Sequence, residues 1–315
     1  MIHWGINALN HGSSLAIFTN NKLKSWYNCS TDELDTSVIT EALHHGAPDN
    51  IFWYERPWVK KARQLYAGQY DTALDMNVLP KRYLNKTRLH YAPVRYTPHH
   101  ASHAAAGYYT SPFNHCAVVV LDAIGEFECA TIWEGKHGEM QKLWSRRYPH
   151  SLGLFYSAFT KFVGLTPIKD EYILQQIAEQ GDPKRFREQV GNYFDSDTLK
   201  LNYNFHKGVQ DWSNILDKQE QYNLAASVQE RFEIEVSKVM QLAKQLTGAD
   251  CLVYMGGCAM NSRANENVVE PLFKYRWSLP NPGDPSSSIG SVLYHTKNRE
   301  WDFKWNPIKH IKIKI

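Results

Sequence analysis

The opening of the chain alternates short apolar segments with polar turns, a pattern typical of strands. The predicted strands are Ile2 to Ala8, Leu15 to Thr19, Leu23 to Tyr27 and Ile51 to Tyr54. The polar segment 10–14 predicts a turn between the first two strands, and helices are predicted over 36–45 and 59–70. Strands followed by helices in this order indicate an α/β unit.

The second half of the chain repeats the same order. A continuous apolar run from Ala117 to Leu121 predicts a buried strand that ends at Asp122. The other predicted elements are a hairpin over 129–133 and 140–144, a strand over 251–255, and helices over 151–162, 218–246, from about 260, and 286–295. The stretch 167–215 is rich in Pro, Asp and Asn, which predicts irregular structure. Two such units predict a duplicated α/β fold with a nucleotide bound between two lobes.

Composition excludes several classes of protein. The chain has 315 residues, and 35 Lys and Arg against 32 Asp and Glu leave a net charge of +3, too small for a polybasic nucleic-acid binder. No apolar run approaches the roughly 20 residues that span a bilayer, and the N-terminus lacks a secretory signal pattern, so no membrane association is predicted. The five cysteines form no CxxC pair, which predicts free thiols and a cytoplasmic location.

The segment from Pro98 to Gly107 contains three histidines and a run of small residues. If it is helical, His99 and His103 project from one face about one turn apart, a spacing that chelates one transition metal. Asp122 and Asp284 each follow a strand or a glycine-containing loop, where α/β sheets place ligand-binding groups. The four side chains form a candidate site for iron or a similar divalent metal with open positions for substrate. The alternatives are ordinary core or surface histidines, and aspartates that cap turns or helices.

Three glycine-containing turns offer backbone N–H groups to a nucleotide. The candidate contacts are Asn10, Gly12 and Ser13 in the first turn, Gly125 and Glu126 in the second, and Gly256, Gly257 and Asn261 in the third. The chain contains no P-loop, GxGxxG motif or GxSxG elbow, which disfavours P-loop NTPases, Rossmann dehydrogenases and serine hydrolases.

Several motifs, in order along residues 2 to about 295, resemble the O-carbamoyltransferase family of nodulation-factor and antibiotic biosynthesis. They are Gly5 to Ile17, His99 to Ala105 with Ser111 to Phe113, Asp122 to Glu126, Pro149 to Tyr156, Asp170 to Tyr172, and Gly256 to Asn261 with Pro282 to Asp284. The resemblance implies an actin/hexokinase-like (ASKHA) α/β fold, in which duplicated ribonuclease H-like lobes enclose a cleft. It also implies a relation to the metal subunit that makes threonylcarbamoyladenosine in tRNA.

The resemblance further implies a carbamoyltransferase. In that family a second domain converts carbamoyl phosphate and ATP to carbamoyladenylate, and the domain seen here passes the carbamoyl group to an acceptor hydroxyl. The resemblance also implies that the four candidate ligands hold a divalent metal, Fe²⁺ or alternatively Zn²⁺ or Mn²⁺. This metal is expected to polarise the carbamoyl carbonyl. The resemblance adds Gly153 and Glu171 to the candidate nucleotide contacts. His11 or His100 is the candidate base for the acceptor proton.

The chain departs from the family pattern in ways that bear on donor and acceptor. Gly12 stands where the family has an aspartate, and 30–35 replaces an Arg/Lys-rich segment. Since the chain ends soon after the predicted helix that follows Asp284, the carbamoyladenylate-forming domain is expected to be absent. In that case the chain is expected either to receive carbamoyladenylate from a separate partner protein or to use a different donor. The expected division is an N-terminal lobe with the metal-binding helix over 1–115, a C-terminal lobe over 116–300 and a basic tail over 301–315.

The acceptor is predicted from a basic tract with interleaved tyrosines and histidines over 81–96. A solvated surface is the usual explanation of such a tract, and a polyanion site is the alternative. Between acceptors, the tract favours nucleic acid, for example a modified nucleoside in DNA or tRNA, over a small hydroxyl compound, which needs no such tract. The alternatives are a small sugar or metabolite hydroxyl, threonylcarbamoyl transfer to tRNA, and a non-catalytic nucleotide-binding scaffold.

Overall fold

The computed structural model describes residues 1–196, 198–209, 212 and 217–299; the predicted tail over 301–315 lies outside them. The strands are β1 (Ile2–Asn10), β2 (Gly12–Thr19), β3 (Lys22–Cys29), β4 (Asn50–Trp53), β5 (Val94–Tyr96), β6 (His115–Gly125), β7 (Glu128–Lys136), β8 (Glu139–Arg147), β9 (Cys251–Met255) and β10 (Tyr275–Trp277). The helices are α1 (Thr36–Leu43), α2 (Pro57–Tyr66), α3 (Tyr70–Leu74), α4 (Pro80–Lys86), α5 (His99–Thr110), α6 (Leu152–Phe162), α7 (Glu171–Ala178), α8 (Arg187–Gly191), α9 (Lys218–Thr247), α10 (Ser262–Ala264), α11 (Glu270–Leu272) and α12 (Ser287–Thr296).

Two five-stranded sheets share one topology. The strand order is β3-β2-β1-β4-β5 in the first sheet and β10-β9-β6-β7-β8 in the second, which is the same order read from the opposite edge. In each sheet the first three strands are antiparallel neighbours, and the last two run parallel to the first strand. The repeat confirms the duplicated α/β fold predicted from the sequence.

Helices α5 and α12 lie between the two sheets. Side chains of both helices share one core with Phe18 and Phe52 of the first sheet and with Val118 and Val253 of the second. A Cβ on Gly290 of α12 would lie 1.7 Å from the backbone oxygen of Ser102 in α5, so only glycine permits this helix contact. The position of α5 relative to both sheets therefore depends on α12.

The outer faces of the sheets carry separate cores. On the first sheet, Trp4 and Ile6 of β1 pack with α1 and α4. On the second, Val119 and Leu121 of β6 pack with α6 and the long helix α9. Helix α12 belongs to the C-terminal half of the chain but packs against β1, β2 and β4 of the first sheet. Both halves of the sequence therefore contribute to the part of the fold built on that sheet. The division into lobes at residue 115 stays a prediction.

The stretch 167–215 differs from the predicted irregular structure, because it contains α7 and α8. Leu174 of α7 and Val190 of α8 are fully buried in the core that α9 organises. Helices this short are marginal alone and form through tertiary packing, which a composition rich in turn-forming residues does not reveal. The predicted turn 10–14 is also wrong in extent: Gly12, with a φ of +78°, closes a tight hairpin, and β2 already begins there.

Two predictions from composition can be compared with the structure. All five cysteines are free thiols. Over the part of the chain that the structure describes, no helix combines the length and apolar character needed to cross a bilayer.

Candidate metal centre

The candidate metal centre begins at the N-terminus of α5. Pro98 precedes the helix, where its missing N–H costs no hydrogen bond, and all twelve residues of the helix are buried. The run Ala104 to Gly107 allows this burial, because a Cβ at Gly107 would lie 2.4 Å from Val253. His99 and His103 lie one turn apart, with their Nε2 atoms 3.1 Å from each other. The helical spacing predicted for the pair is confirmed.

Asp122 reaches the histidines from the second sheet. Along β6 the side chains of Val118 and Val120 face α5, and the period of two places Asp122 on the same face. The N–H of Gly257 donates to Asp122 Oδ1 at 3.2 Å. The other oxygen, Oδ2, lies 3.1 Å from His99 Nε2. The carboxylate is thus oriented by a backbone group and faces the histidine pair.

Asp284 reaches the same point from the loop before α12. Its Oδ1 lies 3.3 Å from Nε2 of both His99 and His103. Its Oδ2 accepts from the Asn10 amide, and within the described residues its Oδ1 accepts no hydrogen bond, so neither oxygen caps the short 3-10 turn that begins at Asp284. The structure therefore does not support the alternative that Asp284 caps this turn.

The donor set fits one metal ion. One ligand atom from each of His99, His103, Asp122 and Asp284 lies within 4.8 Å of the others. Atoms bound about 2.1 Å from one ion lie about 3.0 to 3.4 Å apart at right or tetrahedral angles, close to the separations of the histidine nitrogens from each other and from the nearer carboxylate oxygens. Two imidazole nitrogens and two carboxylate oxygens suit iron, zinc or manganese.

Charge dominates the electrostatics of the site. Burial acts to raise the pKa of Asp122 and of Asp284, but their contacts with His99 and His103 outweigh it and hold both pKa values below the usual range. Burial lowers the pKa of His99, yet the two carboxylates raise it well above the ordinary value. Both aspartates are therefore ionised near neutral pH and present acceptor oxygens only.

The first glycine-containing turn meets the candidate metal centre at Asn10. Its Nδ2 lies 3.4 Å from Asp284 Oδ2. The N–H of Gly12 donates to Asp32, and the buried Ser13 hydroxyl has no hydrogen-bond partner within the described ranges of the chain. His11 is exposed at the tip of the hairpin. The structure thus brings Asn10 to the ligands and leaves His11 open to solvent.

Three of the predicted nucleotide-contact glycines are required by close packing. A Cβ at Gly125 would lie 2.2 Å from Cδ2 of His99, and one at Gly153 would lie 2.7 Å from the Cα of Ala123. A Cβ at Gly256, whose φ is +90°, would lie 2.2 Å from Leu121 O. These glycines let backbone loops close around the ligands, and nucleotide contact by them stays a prediction.

Three other predicted contacts have protein partners in the structure. The buried carboxylate of Glu126 accepts from Nε and Nη2 of Arg56 and from its backbone N–H. Glu171 accepts from Ser157 and from the N–H of Ile168. Asn261 caps α10 and exchanges hydrogen bonds with Gln229.

His100 lies in the interior beside the ligands. It is fully buried, and its Nδ1 lies 3.0 Å from the hydroxyl oxygen of Thr131. Burial holds its pKa well below the usual value for histidine. A neutral imidazole with no solvent exposure is poorly placed to meet an acceptor, and its role as a base stays a prediction.

The segment Tyr54-Glu55-Arg56 contributes to the site, although the sequence did not predict it to do so. It directly follows β4, and the ring of Tyr54 packs edge-on against His99 with centroids 5.3 Å apart. Arg56 joins this segment to Glu126 across the two sheets. The sequence feature that could have identified this segment is the one used for Asp122, a charged residue directly after a short buried apolar run.

Residues 25–293 match the family described as "Carbamoyltransferase N-terminus". An uncharacterized protein of Synechocystis sp. is 31% identical over 222 residues, which cover 64% of this chain and 36% of that protein. The nodulation protein NolO of Bradyrhizobium diazoefficiens is 27% identical over 206 residues, covering 62% of this chain and 37% of NolO. The chain matches little more than a third of the length of these curated relatives.

Solved structures show the fold. Component A of (R)-2-hydroxyglutaryl-CoA dehydratase from Acidaminococcus fermentans superposes with a TM-score of 0.55 at 12% identity, covering 94% of this chain and 99% of that one. The activator of 2-hydroxyisocaproyl-CoA dehydratase from Clostridium difficile, solved with bound ADPNP, has a TM-score of 0.52 at 12% identity, covering 94% and 96%. This likeness confirms the ASKHA fold. With the match over 25–293, the chain belongs to the carbamoyltransferase N-terminus family.

Proposed function

We propose that the chain transfers a carbamoyl group from carbamoyladenylate to an acceptor hydroxyl. The observation that carries this proposal is the convergence of His99, His103, Asp122 and Asp284 between the two sheets of a chain from a carbamoyltransferase family. A scaffold needs no such convergence of four ligands. The same donor set supports a divalent metal, with Fe²⁺ favoured over Zn²⁺ or Mn²⁺.

When bound there, the metal supplies a Lewis acid that stabilises negative charge on the carbamoyl oxygen or the leaving phosphate. Asn10 adds an amide beside Asp284, which orients that carboxylate. The N–H of Gly257 orients Asp122 in the same way. These contacts hold the ligands in place before the reactants arrive, so that little reorganisation is needed during the reaction.

The transfer forms one bond and breaks one. The acceptor oxygen bonds to the carbamoyl carbon, the bond from that carbon to the phosphate oxygen of the adenylate breaks, and AMP leaves with the electron pair. The acceptor proton passes to a base. His11 is the better-placed candidate, because it is exposed beside Asn10, whereas His100 is fully buried.

The nucleotide is proposed to lie along the loops of the second sheet that contain Gly125, Gly153, Gly256 and Gly257. The ADPNP bound by the structurally similar activator from Clostridium difficile supports nucleotide use. We also propose that a separate carbamoyladenylate-forming protein makes the donor from carbamoyl phosphate and ATP.

A reconstituted assay tests the proposal. Purified chain is incubated with ferrous iron, carbamoyl phosphate, ATP, a carbamoyladenylate-forming protein and a panel of nucleosides, oligonucleotides and sugars. We expect AMP release and an acceptor that gains the mass of one carbamoyl group in place of one hydrogen. A gain that also includes threonine would instead indicate threonylcarbamoyl transfer. Nucleotide binding with no modified acceptor would support the scaffold.

A nucleic-acid acceptor is favoured by the exposed cations of the tract 81–96. Lys81, Arg82 and Arg88 are all exposed there, although Tyr83 is buried and cannot stack on a base. Changing the three cations to Ala is expected to reduce the slope of log affinity for an oligonucleotide against log salt by about 2 to 3. A control triple Ala variant of the exposed Lys136, Lys161 and Lys184 should keep the slope. An unchanged slope in the first variant would favour a small hydroxyl acceptor.

A further inference from the structure

Glu55 lies on the far side of His99 from the other ligands. Its Oε2 is 3.9 Å from His99 Nδ1, whereas His99 Nε2 faces Asp122 and Asp284. The Glu55 side chain is only 7% exposed. His99 Nδ1 is buried, and none of the described residues forms a hydrogen bond with it at its present position. A buried ring nitrogen and a buried carboxylate oxygen thus face each other just beyond hydrogen-bond distance.

Lys60 of α2 holds Glu55 by its other oxygen. The Lys60 Nζ lies 2.7 Å from Glu55 Oε1, and the lysine side chain is 17% exposed. The pairing compensates the buried carboxylate and leaves Oε2 directed at His99. Glu55, Lys60 and Asn10 also line a cavity of about 100 Å³, which gives both paired side chains room to rotate.

The His99 ring has little freedom to move otherwise. Gly125 passes so close to Cδ2 that even a Cβ there would overlap it, and the Tyr54 ring packs against another edge. Translation of the imidazole is therefore restricted. These contacts do not determine which ring nitrogen keeps its hydrogen when the ring loses one proton to bind a metal, and that choice decides whether Nε2 presents a lone pair.

We propose that Glu55 is a positioning residue for His99 and that Lys60 keeps Glu55 in place. The His99 Nδ1–H donates to Glu55 Oε2, which keeps the hydrogen on Nδ1 and leaves the Nε2 lone pair free for a metal that Asp122 and Asp284 would also bind. This step requires the distance to shorten by about 1 Å, within the reach of a glutamate torsion. The inference rests on the proposed metal site, and it gives that site a carboxylate–histidine pair outside the direct ligands.

Cobalt(II) binding to the full chain tests the inference. Affinity is measured by competition with a chromophoric chelator, and the ligand field by the visible absorption of the bound ion. We expect E55A to weaken Co²⁺ affinity by about 10- to 100-fold and to shift the absorption band, with E55Q, which keeps an acceptor oxygen, losing about 10-fold or less. The loss of Co²⁺ affinity in K60M should be similar to that in E55Q, because Glu55 then loses its ion pair with Lys60.

The matched control is E33Q. Glu33 pairs with Lys86 at the same 2.7 Å but at the surface, far in sequence from the ligands. We expect it to bind Co²⁺ as the parent does. Parent-like affinity and absorption in E55A and E55Q would overturn the role of Glu55 while leaving the metal site intact. Failure of the parent itself to bind Co²⁺ one to one would overturn the metal site and this inference with it.

Thermal unfolding without added metal separates positioning from folding. E55Q is nearly isosteric with the parent, so we expect its midpoint to stay within a few degrees while its Co²⁺ affinity falls. If affinity in E55Q falls only in proportion to a loss of folded protein, Glu55 is a structural residue and the positioning role is wrong.

Discussion

D284N is expected to lose metal binding almost completely, with Fe²⁺ or Co²⁺ affinity lowered by more than about 100-fold, beyond the range seen for outer partners of metal ligands. The substitution keeps the size of the side chain but removes the anionic oxygen that lies 3.3 Å from Nε2 of both histidines. H103A should have a similar effect, because it removes one of the two imidazoles. Carbamoyl transfer should fall in parallel. Metal content by elemental analysis and calorimetric titration provide the measurements.

The control for this prediction is an aspartate that does cap a helix. Asp217 accepts from the N–H of Glu220 at the start of α9. D217N should keep full metal affinity and change the free energy of unfolding by no more than about 1 kcal/mol, since Asn is also a good N-cap. D284N with parent-like metal affinity would contradict a four-ligand site and return Asp284 to a structural role.

G290A is expected to have the largest effect on stability, lowering the free energy of unfolding by about 3 kcal/mol or more. The new methyl group would lie 1.7 Å from the backbone oxygen of Ser102 and 2.7 Å from the backbone nitrogen of Ala106, so α12 and α5 must separate. Backbone atoms inside two packed helices cannot move aside as a flexible side chain does. Urea unfolding followed by circular dichroism measures the loss.

The same variant tests how helix packing and the metal centre are linked. Because α5 carries both histidines and Asp284 precedes α12, separation of the helices should also weaken metal binding in the fraction that remains folded. Gly191 in α8 is the matched control, since no atom of the part of the chain that the structure describes lies within 4 Å of a Cβ built there. G191A should be neutral or slightly stabilising. If G290A were as stable as G191A, the close contact of α5 with α12 would be wrong.

Local patterns in the sequence were sufficient where a segment's environment is uniform. The apolar run before Asp122 predicted a buried strand, and β6 is buried on both faces by separate cores. The helical spacing of apolar residues over 218–246 predicted the long helix α9, which ends just before Gly248, whose φ is +63°. In both cases the spacing of apolar residues within the segment itself specifies the strand or helix. Hydrophobic periodicity is therefore sufficient to predict it.

Patterns failed where a short element depends on a distant neighbour. Helix α7 forms in a stretch that its composition marks as irregular, because Leu174 packs into the core around α9. Glu55 follows a short buried strand, which marks a possible ligand-binding position, but nothing in its neighbourhood indicates that its partner is His99 of the remote helix α5. The local sequence likewise gave no indication of the partners of Glu126, Glu171 and Asn261. Each of these side chains forms hydrogen bonds with a residue from another segment of the chain.

The sequence by itself determined that His99 and His103 lie on one face of a helix, because the spacing of side chains along a helix is a local property of the backbone. It also determined that Asp122 follows a buried apolar run, although the predicted end of the strand there is wrong because β6 continues to Gly125, and that Asp284 lies in a loop before a helix. Only the tertiary structure decided that these aspartates meet the histidine pair, since that requires α5 to lie between two sheets and α12 to pack against it at Gly290. Distances between remote segments are products of packing, and no local pattern encodes them.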